Sequence, residues 1–380
     1  MKKRLLTVLF TIILMISAIP VRAQEDITPF SLKCKSAVLM DAASGKVLYA
    51  MNADQPLPPA SVTKIMTLLL VFEAIDEGHL ALTDKVSCSE YAASMGGSQV
   101  FLEPGEEMTV DEMLKCVVIS SANDAAVALA EKVCGSEELF VDMMNDRAKE
   151  LGMNNTHFEN VTGLDDSVTD HTISALDIAI ASRELLTKHP DIMNYTTVWM
   201  DTVRDGKFGL SNTNRLIRFY DGATGLKTGS TSKAGFCISA TAKRGEMHLI
   251  AVIMGASTRD ERNEAAKMLL DFGFATYKCY SVNSGAGDEV AVKGGIEGTV
   301  PTETTGFSTL LGNGLEKKIT EERQIAEFLS APVKKGDEVG RIIYKCDGEV
   351  IGEVSVRAAK DVRKIGFLDI FLSLVTGMCL

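Results

Sequence analysis

Residues 58–70 read PPASVTKIMTLLL. Two prolines fix the backbone at the start of this stretch. From Ser61 the apolar residues recur as in a helix buried on most sides, which places Ser61 at or near its N-terminus. Lys64 then lies one turn later on the same face. A hydroxyl and an amine held one helical turn apart, beside backbone N–H groups without intrahelical partners, are suited to making a serine nucleophilic.

The Ser-x-x-Lys spacing also has a plainer interpretation, an N-cap serine followed by a surface lysine. The pattern is short, and a second copy occurs at Ser230 to Lys233. Other segments must therefore decide which copy, if either, carries chemistry.

The bulk composition describes a folded, acidic protein. With 380 residues, 24% charged and 46% hydrophobic, the chain predicts two domains with a sizeable core. Its formal net charge of −12 argues against nucleic acid as a partner, because a phosphate backbone requires a basic surface.

The N-terminus has the pattern of an export signal. Residues 1–4 are MKKR, residues 5–19 are almost entirely apolar, and Val21-Arg22-Ala23 ends in a small residue. This order predicts a signal peptide over residues 1–23 and an exported protein. An uncleaved anchor is the alternative, since Arg22 is unusual beside a cleavage site.

The eight cysteines are scattered without paired spacing, and several, such as Cys116, lie in apolar runs. We predict free cysteines in cores, which suits a reducing habitat. The five histidines are isolated, and no Cys/His group has the spacing of a zinc site. The sequence therefore predicts neither a metal nor a cofactor.

Residues 24–278 predict an α+β domain. Alternation over 35–50 indicates a β-hairpin, and 234–256 returns to a strand pattern with a turn at 243–246. Caps and glycines between them predict helices over 61–78, 109–119, 125–135, 136–152 and 174–190, and a last helix over about 260–274. Strands at both ends of the domain imply that early and late strands share one sheet.

Two further segments follow. Short strand-like pieces over 279–358 predict a small β-rich domain. Residues 359–380 predict an amphipathic helix with a narrow polar stripe at Gly366, Asp369, Ser373 and Thr376. About 16 apolar-rich residues are short for a span of roughly 20, so we expect the helix to lie on a membrane surface. A core or oligomer helix is the alternative. The cations expected to face anionic lipid are Arg357, Lys360, Arg363 and Lys364.

Two more motifs accompany Ser61. Ser121-Ala122-Asn123 lies in a break between two predicted helices, and Lys227-Thr228-Gly229 comes just before the strand that starts near Ala234. Each alone is compatible with an ordinary cap or turn. In this order, Ser-x-x-Lys, Ser-x-Asn and Lys-Thr-Gly resemble the signature of penicillin-binding proteins and serine β-lactamases. Because the second Ser-x-x-Lys copy overlaps the third motif, Ser61 is the candidate nucleophile.

More of the chain resembles one branch, the low-molecular-mass penicillin-binding proteins that act as D-alanyl-D-alanine carboxypeptidases. The matching segments are NTHFENVTGLD at 155–165, GATGLKTG at 222–229 and AGF at 234–236. The resemblance implies a transpeptidase-like fold, an antiparallel sheet with a helical cluster, followed by a β-rich domain and an amphipathic anchor. It implies as ligands peptidoglycan stem peptides ending in D-Ala-D-Ala and β-lactam antibiotics, at the outer face of the cell membrane.

The resemblance also implies roles for individual residues. Ser61 attacks the carbonyl between two D-alanines, Ser121 passes a proton to the leaving amine, and Asn123 binds a substrate amide. Lys64 can act as base only if burial and a cation such as Lys227 depress its pKa from about 10.4.

The remaining roles concern binding. Backbone N–H groups of Ser61 and Ser230 hold the oxyanion. Thr228 and Gly229, with Lys227, border the terminal carboxylate, and Arg215 resembles the family's clamp position. A second arginine of some relatives is replaced by Ser257, with Arg259 nearby, so the clamp departs from the family pattern.

Two alternatives stay open. A β-lactamase needs fast hydrolysis of the acyl-enzyme, and the 155–165 segment lacks the Glu-x-x-Leu-Asn pattern of class A enzymes. A non-catalytic penicillin sensor or wall-binding protein could retain the same fold. Measurements of penicillin turnover and of D-alanine release distinguish these two alternatives from a carboxypeptidase.

Overall fold

The structure is a computed structural model that describes residues 31–165 and 168–371. The predicted signal peptide over 1–23 and most of the predicted terminal helix lie outside these residues. Of that helix, residues 367–371 are described and are helical.

The first part of the chain mixes short strands with helices. In order, its elements are β1 Ser36–Asp41, β2 Val47–Met51, a 3₁₀ turn Ala60–Thr63, α1 Lys64–Asp76, β3 Lys85–Ser87, α2 Glu90–Ala93, β4 Glu107–Thr109, α3 Val110–Ile119, α4 Asn123–Cys134, α5 Glu137–Glu150, α6 Ala175–Lys188, a 3₁₀ turn Pro190–Ile192, α7 Met193–Thr196, β5 Met200–Val203, β6 Phe208–Ser211, α8 Leu216–Phe219, β7 Ala223–Thr231, β8 Gly235–Arg244, β9 Met247–Ala256 and α9 Arg259–Thr276.

A five-stranded antiparallel sheet in the order β2-β1-β9-β8-β7 joins the two ends of this part. The α+β prediction and the sharing of one sheet by early and late strands are therefore confirmed. Each chain reversal has a local cause. Between β1 and β2, for example, Gly45 adopts φ +75°, and the Asp41 carboxylate accepts the Ser44 amide at 2.9 Å.

The helices begin and end where their caps predict. The Thr109 hydroxyl and the Glu112 carboxylate form a reciprocal capping box at the start of α3. Ser136 and Ser174 cap α5 and α6, while Gly135 closes α4 with φ +86°. The core is formed by helices α1, α3, α4, α5 and α6, and it continues onto one face of the sheet.

Two placements differ from the sequence predictions. Lys227-Thr228-Gly229 comes just before the strand that starts at Gly235, as predicted, but it lies inside a strand of its own, β7, the edge strand of the sheet, which the sequence did not predict. Asn123 is the first residue of α4 and not part of the break, which consists of Ser120 to Ala122. Glycines and alternating polar residues hide β7 in the sequence, because its strand pattern is not an apolar alternation.

From Tyr277 most of the regular elements that the structure describes are strands, namely β10 Tyr277–Val282, β11 Gly285–Ala286, β12 Val290–Lys293, β13 Thr299–Val300, β14 Thr302–Thr304, β15 Phe307–Gly312, β16 Ile319–Ile325, β17 Phe328–Ser330, β18 Glu338–Cys346 and β19 Glu349–Ala358, with a 3₁₀ turn at Leu315–Lys318. A five-stranded sheet β11-β14-β19-β18-β16 and a three-stranded sheet β13-β12-β17 enclose a separate apolar core, and β10 pairs with β15. The predicted β-rich segment is thus observed, while the predicted boundary at residue 279 stays a prediction.

The seven cysteines that the structure describes are free thiols. Four of them are buried, namely Cys88, Cys116, Cys237 and Cys346. Burial raises the pKa of Cys237 to about 11 and makes it a poor nucleophile.

Candidate active site

Ser61 lies in the 3₁₀ turn that leads directly into α1. A Cβ added to Gly229 would lie 2.7 Å from the Ser61 amide nitrogen and 2.9 Å from the Val62 amide nitrogen. Strand β7 therefore packs backbone to backbone against the Ser61 turn, and a glycine at 229 permits that approach. The contact places two distant motifs side by side.

Lys64 is fully buried, and its amine contacts the candidate nucleophile. Lys64 Nζ lies 2.9 Å from Ser61 Oγ, 2.5 Å from Asn123 Oδ1 and 2.9 Å from the Thr162 carbonyl oxygen. None of these partners is a carboxylate. Burial, and secondarily the charge of Lys227, hold the Lys64 pKa well below its ordinary value, although Asp124 opposes this. A neutral amine at this position can accept the Ser61 hydroxyl proton.

Lys227 forms the second lysine–serine pair. Its Nζ donates to Ser121 Oγ at 2.7 Å and to the Thr228 carbonyl at 2.9 Å, and the side chain is buried. Burial, with a smaller contribution from Arg262, lowers the Lys227 pKa to about 7. Ser121 adopts φ +62°, a conformation rare for serine, at the break between α3 and α4. The site thus holds two lysine–serine pairs, and in each pair the amine contacts the hydroxyl.

Asn123 is buried, and both ends of its amide are occupied. Its Oδ1 accepts from Lys64, and its Nδ2 donates to the Gly96 carbonyl at 2.7 Å. The predicted role in binding a substrate amide stays a prediction. The geometry gives Asn123 another task, which is to fix the Lys64 amine without adding a negative charge.

A cavity of about 590 Å³ opens above these pairs and is bordered by Ser61, Ser121, Thr228, Gly229 and Ser230. The Thr228 hydroxyl donates to Thr213 Oγ1 at 2.8 Å. Lys64, Asn123 and Lys227 lie beneath this wall and are buried. The predicted catalytic and binding residues therefore converge on one site.

Arginines line another side of the same cavity. Arg215, just before α8, and Arg259, the first residue of α9, are exposed, while Arg262 is 3% exposed. Burial and then the charge of Arg259 lower the pKa of Arg262 to about 10, still well above neutrality. Sequence reasoning identified Arg215 and noted Arg259 but missed Arg262. The available signal was the i, i+3 spacing of arginines at the start of a helix that follows a central strand.

The segment 159–165, together with His171, supports the Ser61 turn from beneath, and sequence reasoning did not assign it this function. Its Thr162 carbonyl accepts from Lys64, and Gly163 lies against the Ala60 carbonyl with φ +80°. His171 Nδ1 accepts the Glu159 amide at 3.0 Å, so Nε2 carries the proton and donates to Thr63 Oγ1 at 2.8 Å. This neutral histidine ties the segment to the turn.

Within the described ranges, 31–165 and 168–371, no group of three His, Cys, Asp or Glu side chains could hold a metal ion. Among the helices of the same ranges, none is long and apolar enough to cross a membrane.

Comparison with known proteins gives two family matches. The family described as D-alanyl-D-alanine carboxypeptidase matches residues 21–258, and the family described as penicillin-binding protein 5, C-terminal domain, matches residues 274–364. Among curated proteins, the D-alanyl-D-alanine carboxypeptidase DacF of Bacillus subtilis is 46% identical over 99% of this chain and 98% of its own length. DacC of Escherichia coli is 34% identical over 91% of this chain and 88% of its own length.

Solved structures agree with these matches. Penicillin-binding protein 5 from Haemophilus influenzae has a TM-score of 0.77 and 31% identity, covering 89% of this chain and 100% of that chain. Penicillin-binding protein D2 from Listeria monocytogenes, in its ampicillin-bound form, has a TM-score of 0.57 and 31% identity over 65% of this chain and 99% of that chain. The predicted fold, a carboxypeptidase domain followed by an all-β domain, is confirmed.

Proposed function

We propose a residue-level mechanism from the premise that this chain belongs to the D-alanyl-D-alanine carboxypeptidase family, serine peptidases that act on the bond between two D-alanines. One observation carries the mechanism: a buried lysine amine without a carboxylate partner lies 2.9 Å from the hydroxyl of Ser61. That contact supports a general base and a nucleophile already in position.

Acylation begins with Ser61. Its Oγ attacks the carbonyl carbon of the penultimate D-alanine while Lys64 Nζ accepts the hydroxyl proton. The backbone N–H groups of Ser61 and Ser230 receive the developing oxyanion, which the close approach of β7 to the Ser61 turn supports. The carbon–nitrogen bond then breaks, and an acyl-enzyme ester remains on Ser61.

The leaving amine needs a proton, and the Ser121–Lys227 pair supports that step. Ser121 Oγ borders the cavity and accepts a hydrogen bond from Lys227, whose pKa is lowered to about 7. A group with a pKa near neutrality both donates and recovers protons efficiently. Water afterwards hydrolyses the ester and regenerates Ser61.

Recognition of the chain end requires cations. The terminal carboxylate would lie between the Thr228 hydroxyl and the Arg262 guanidinium, which is buried and keeps its charge. Arg215, the predicted clamp residue, borders the same cavity, and Arg262 would take the place of the second clamp arginine that the sequence pattern lacks at Ser257. Stem peptides of peptidoglycan ending in D-Ala-D-Ala are the proposed substrates, and β-lactams are the proposed covalent inhibitors.

We further propose export and peripheral anchoring. Phe367, Leu368 and Phe371 are exposed in the described start of the terminal helix, and Arg363 pairs with Asp369 at 2.6 Å, which lowers the cost of an acidic residue at a lipid surface. Binding of the full chain, but not of a chain ending at residue 358, to vesicles with anionic lipid tests this proposal.

The mechanism is tested with the two Ser-x-x-Lys copies as a matched pair. Ser61→Ala and Lys64→Ala should abolish labelling by a fluorescent penicillin and lower release of D-alanine from a pentapeptide by about 10³-fold or more. Lys233→Ala, in the second copy, serves as control because Lys233 is exposed. Labelling of Ser61→Ala at the wild-type level would refute the assignment. If wild type released no D-alanine, a non-catalytic sensor would be favoured. If wild type hydrolysed penicillin rapidly, a β-lactamase would be favoured.

A further inference from the structure

The loop over residues 95–106 connects α2 to β4 and has no helix or strand of its own. It reaches the active site, since Ser98 borders the cavity. The loop also contacts the Ser-x-Asn motif directly. The Ser98 carbonyl accepts the Asn123 backbone amide at 2.7 Å, and the Gly96 carbonyl accepts Asn123 Nδ2 at 2.7 Å. The position of this loop therefore decides which end of the Asn123 amide faces Lys64.

The orientation of the Asn123 amide matters for proton transfer. With Nδ2 on the Gly96 carbonyl, Oδ1 accepts from Lys64 Nζ, and the lone pair of a neutral amine stays available to the Ser61 hydroxyl. If the amide rotated by half a turn, Nδ2 would donate to that lone pair and compete with Ser61. A displaced Gly96 carbonyl would thus slow acylation without removing any group that touches the substrate.

Two side chains hold the loop from outside the cavity. The buried Asp124 carboxylate accepts the Val100 and Leu102 amides, both at 3.1 Å. From the turn between β5 and β6, the Arg204 guanidinium donates to the Val100 carbonyl at 2.8 Å and to the Phe101 carbonyl at 3.1 Å. Phe101 adopts φ +56°, a conformation rare for phenylalanine, so this stretch depends on outside contacts to persist.

The Arg204 guanidinium is itself fixed in place. Its Nε and Nη2 donate to the two Glu106 carboxylate oxygens at 2.6 and 3.0 Å, and its carbon lies 5.1 Å from the Phe208 ring centroid. Glu106 lies at the end of the same loop. One planar fork thus joins a carboxylate and two carbonyls, which the compact ammonium of a lysine cannot do.

We propose that Arg204 is a positioning residue for acylation: its guanidinium fixes residues 96–102, and these hold the Asn123 amide with its oxygen toward Lys64. Arg204 does not border the cavity, so it acts through the loop and not on the substrate. The inference deepens the proposed function and rests on it, because it assumes that Lys64 accepts the proton of Ser61.

The test measures the rate constant of labelling by a fluorescent penicillin in the full-length chain. A rate constant, unlike a labelled amount, does not depend on the fraction of unfolded molecules. Arg204→Gln should label about tenfold more slowly than wild type. Arg204→Lys should be nearly as slow, because lysine keeps the charge but not the fork. A wild-type rate in Arg204→Lys would refute the proposal, since only the charge would then matter.

Arg147→Gln is the matched control. The side chains of Arg147 and Arg204 are both 23% exposed, and Arg147, on α5, likewise pairs with carboxylates, at 2.8 Å to Glu73 and 3.0 Å to Glu184. Arg147 does not border the cavity. We expect Arg147→Gln to lower thermal stability as Arg204→Gln does, but to label at the wild-type rate. Equal slowing in both variants would overturn the proposal, because it would indicate a general effect of lost stability.

A double-mutant cycle tests whether Arg204 acts through Asn123. Once Asn123→Ala has removed the amide, Arg204→Gln should slow labelling by less than about a further twofold. An undiminished loss of about tenfold in that background would count against the proposal. These results are distinct from failure of the proposed function, in which wild type itself would neither label nor release D-alanine.

Discussion

Lys64 Nζ lies 2.5 Å from Asn123 Oδ1, and the two residues are 59 positions apart in sequence. A neutral amide thus occupies the position where a carboxylate would normally neutralise a buried lysine. Asn123 therefore holds the Lys64 amine in place without raising the pKa of that amine. This arrangement makes the protonation state of Lys64 sensitive to one side chain.

Asn123→Asp should move the alkaline rise of acylation to higher pH. An added carboxylate favours the charged lysine, so the Lys64 pKa rises and less neutral base exists at pH 7. We expect the rising limb of the acylation rate with a fluorescent penicillin, measured from pH 5 to 10, to shift upward by about 1–2 pH units. Asn123→Ala removes the acceptor without adding charge and should slow acylation with no upward shift. Coincident rising limbs for wild type and Asn123→Asp would contradict this role.

Arg262→Gln should impair recognition of the free chain end. Removal of the buried guanidinium should lower kcat/KM for a peptide ending in D-Ala-D-Ala by about 10- to 100-fold, because a charge-assisted contact is lost. The same peptide with a C-terminal amide should change little, which separates carboxylate recognition from general damage. Arg244→Gln is a suitable control, as Arg244 stacks on Phe274 with its guanidinium carbon 4.4 Å from the ring centroid. Equal losses for acid and amide peptides would count against the assignment.

The sequence predicted most of the helices because their caps are local. The side chains of Thr109, Ser136 and Ser174 each accept a hydrogen bond from the backbone amide three residues later. The sequence signal for these helix starts therefore lies within a few adjacent residues. The hairpin before residue 50 and the two strands on either side of the turn at 243–246 could be predicted equally well from the sequence. Strand β7 could not be predicted, because its glycines permit a close backbone approach to the Ser61 turn and do not form an alternating apolar face.

The site was predictable where motifs are contiguous and hidden where the fold alone creates contact. Ser61, Ser121 and Lys227 could be identified from short patterns. The Thr162 carbonyl and the His171 ring could not, because a backbone acceptor has no sequence signal and a histidine's tautomer depends on what surrounds it. Arg262 was missed for a related reason: its burial is a tertiary property.

His171 should make folding stability depend on pH in acid. Burial lowers its pKa to about 4, whereas an unfolded histidine titrates near 6.5. The unfolded state therefore binds more protons between these values, and stability is full above pH 6.5 and falls as the pH drops toward 4. The contribution is about 3 kcal/mol at most, and His248, whose pKa burial also lowers to about 4, adds a similar share.

Urea unfolding of wild type and His171→Gln at several pH values from 4 to 7 measures this effect. We expect the variant to be less stable at pH 7 and to show a shallower pH dependence of stability than wild type, with the remaining slope due in part to His248. His79→Gln is the control, because the His79 side chain is 74% exposed. An unchanged slope in His171→Gln would mean that the buried ring does not control acid stability.

Gly163→Ala should damage both stability and acylation, because this position combines a left-handed backbone with no room for a side chain. Gly163 has φ +80°, and an added Cβ would lie 1.8 Å from the Ala60 carbonyl oxygen. The Ser61 turn or the segment that carries Thr162 must then move, and either movement displaces an acceptor or a partner of Lys64.

Gly152→Ala is the matched control, since Gly152 has φ +74° with nothing within 4 Å of the added carbon. The control should lose about 1 kcal/mol from backbone strain alone and keep its acylation rate. Gly163→Ala should lose about 2–3 kcal/mol more and label slowly with penicillin. Equal effects in the two variants, by thermal unfolding and by labelling rate, would show that the backbone conformation matters and the contact with the Ser61 turn does not.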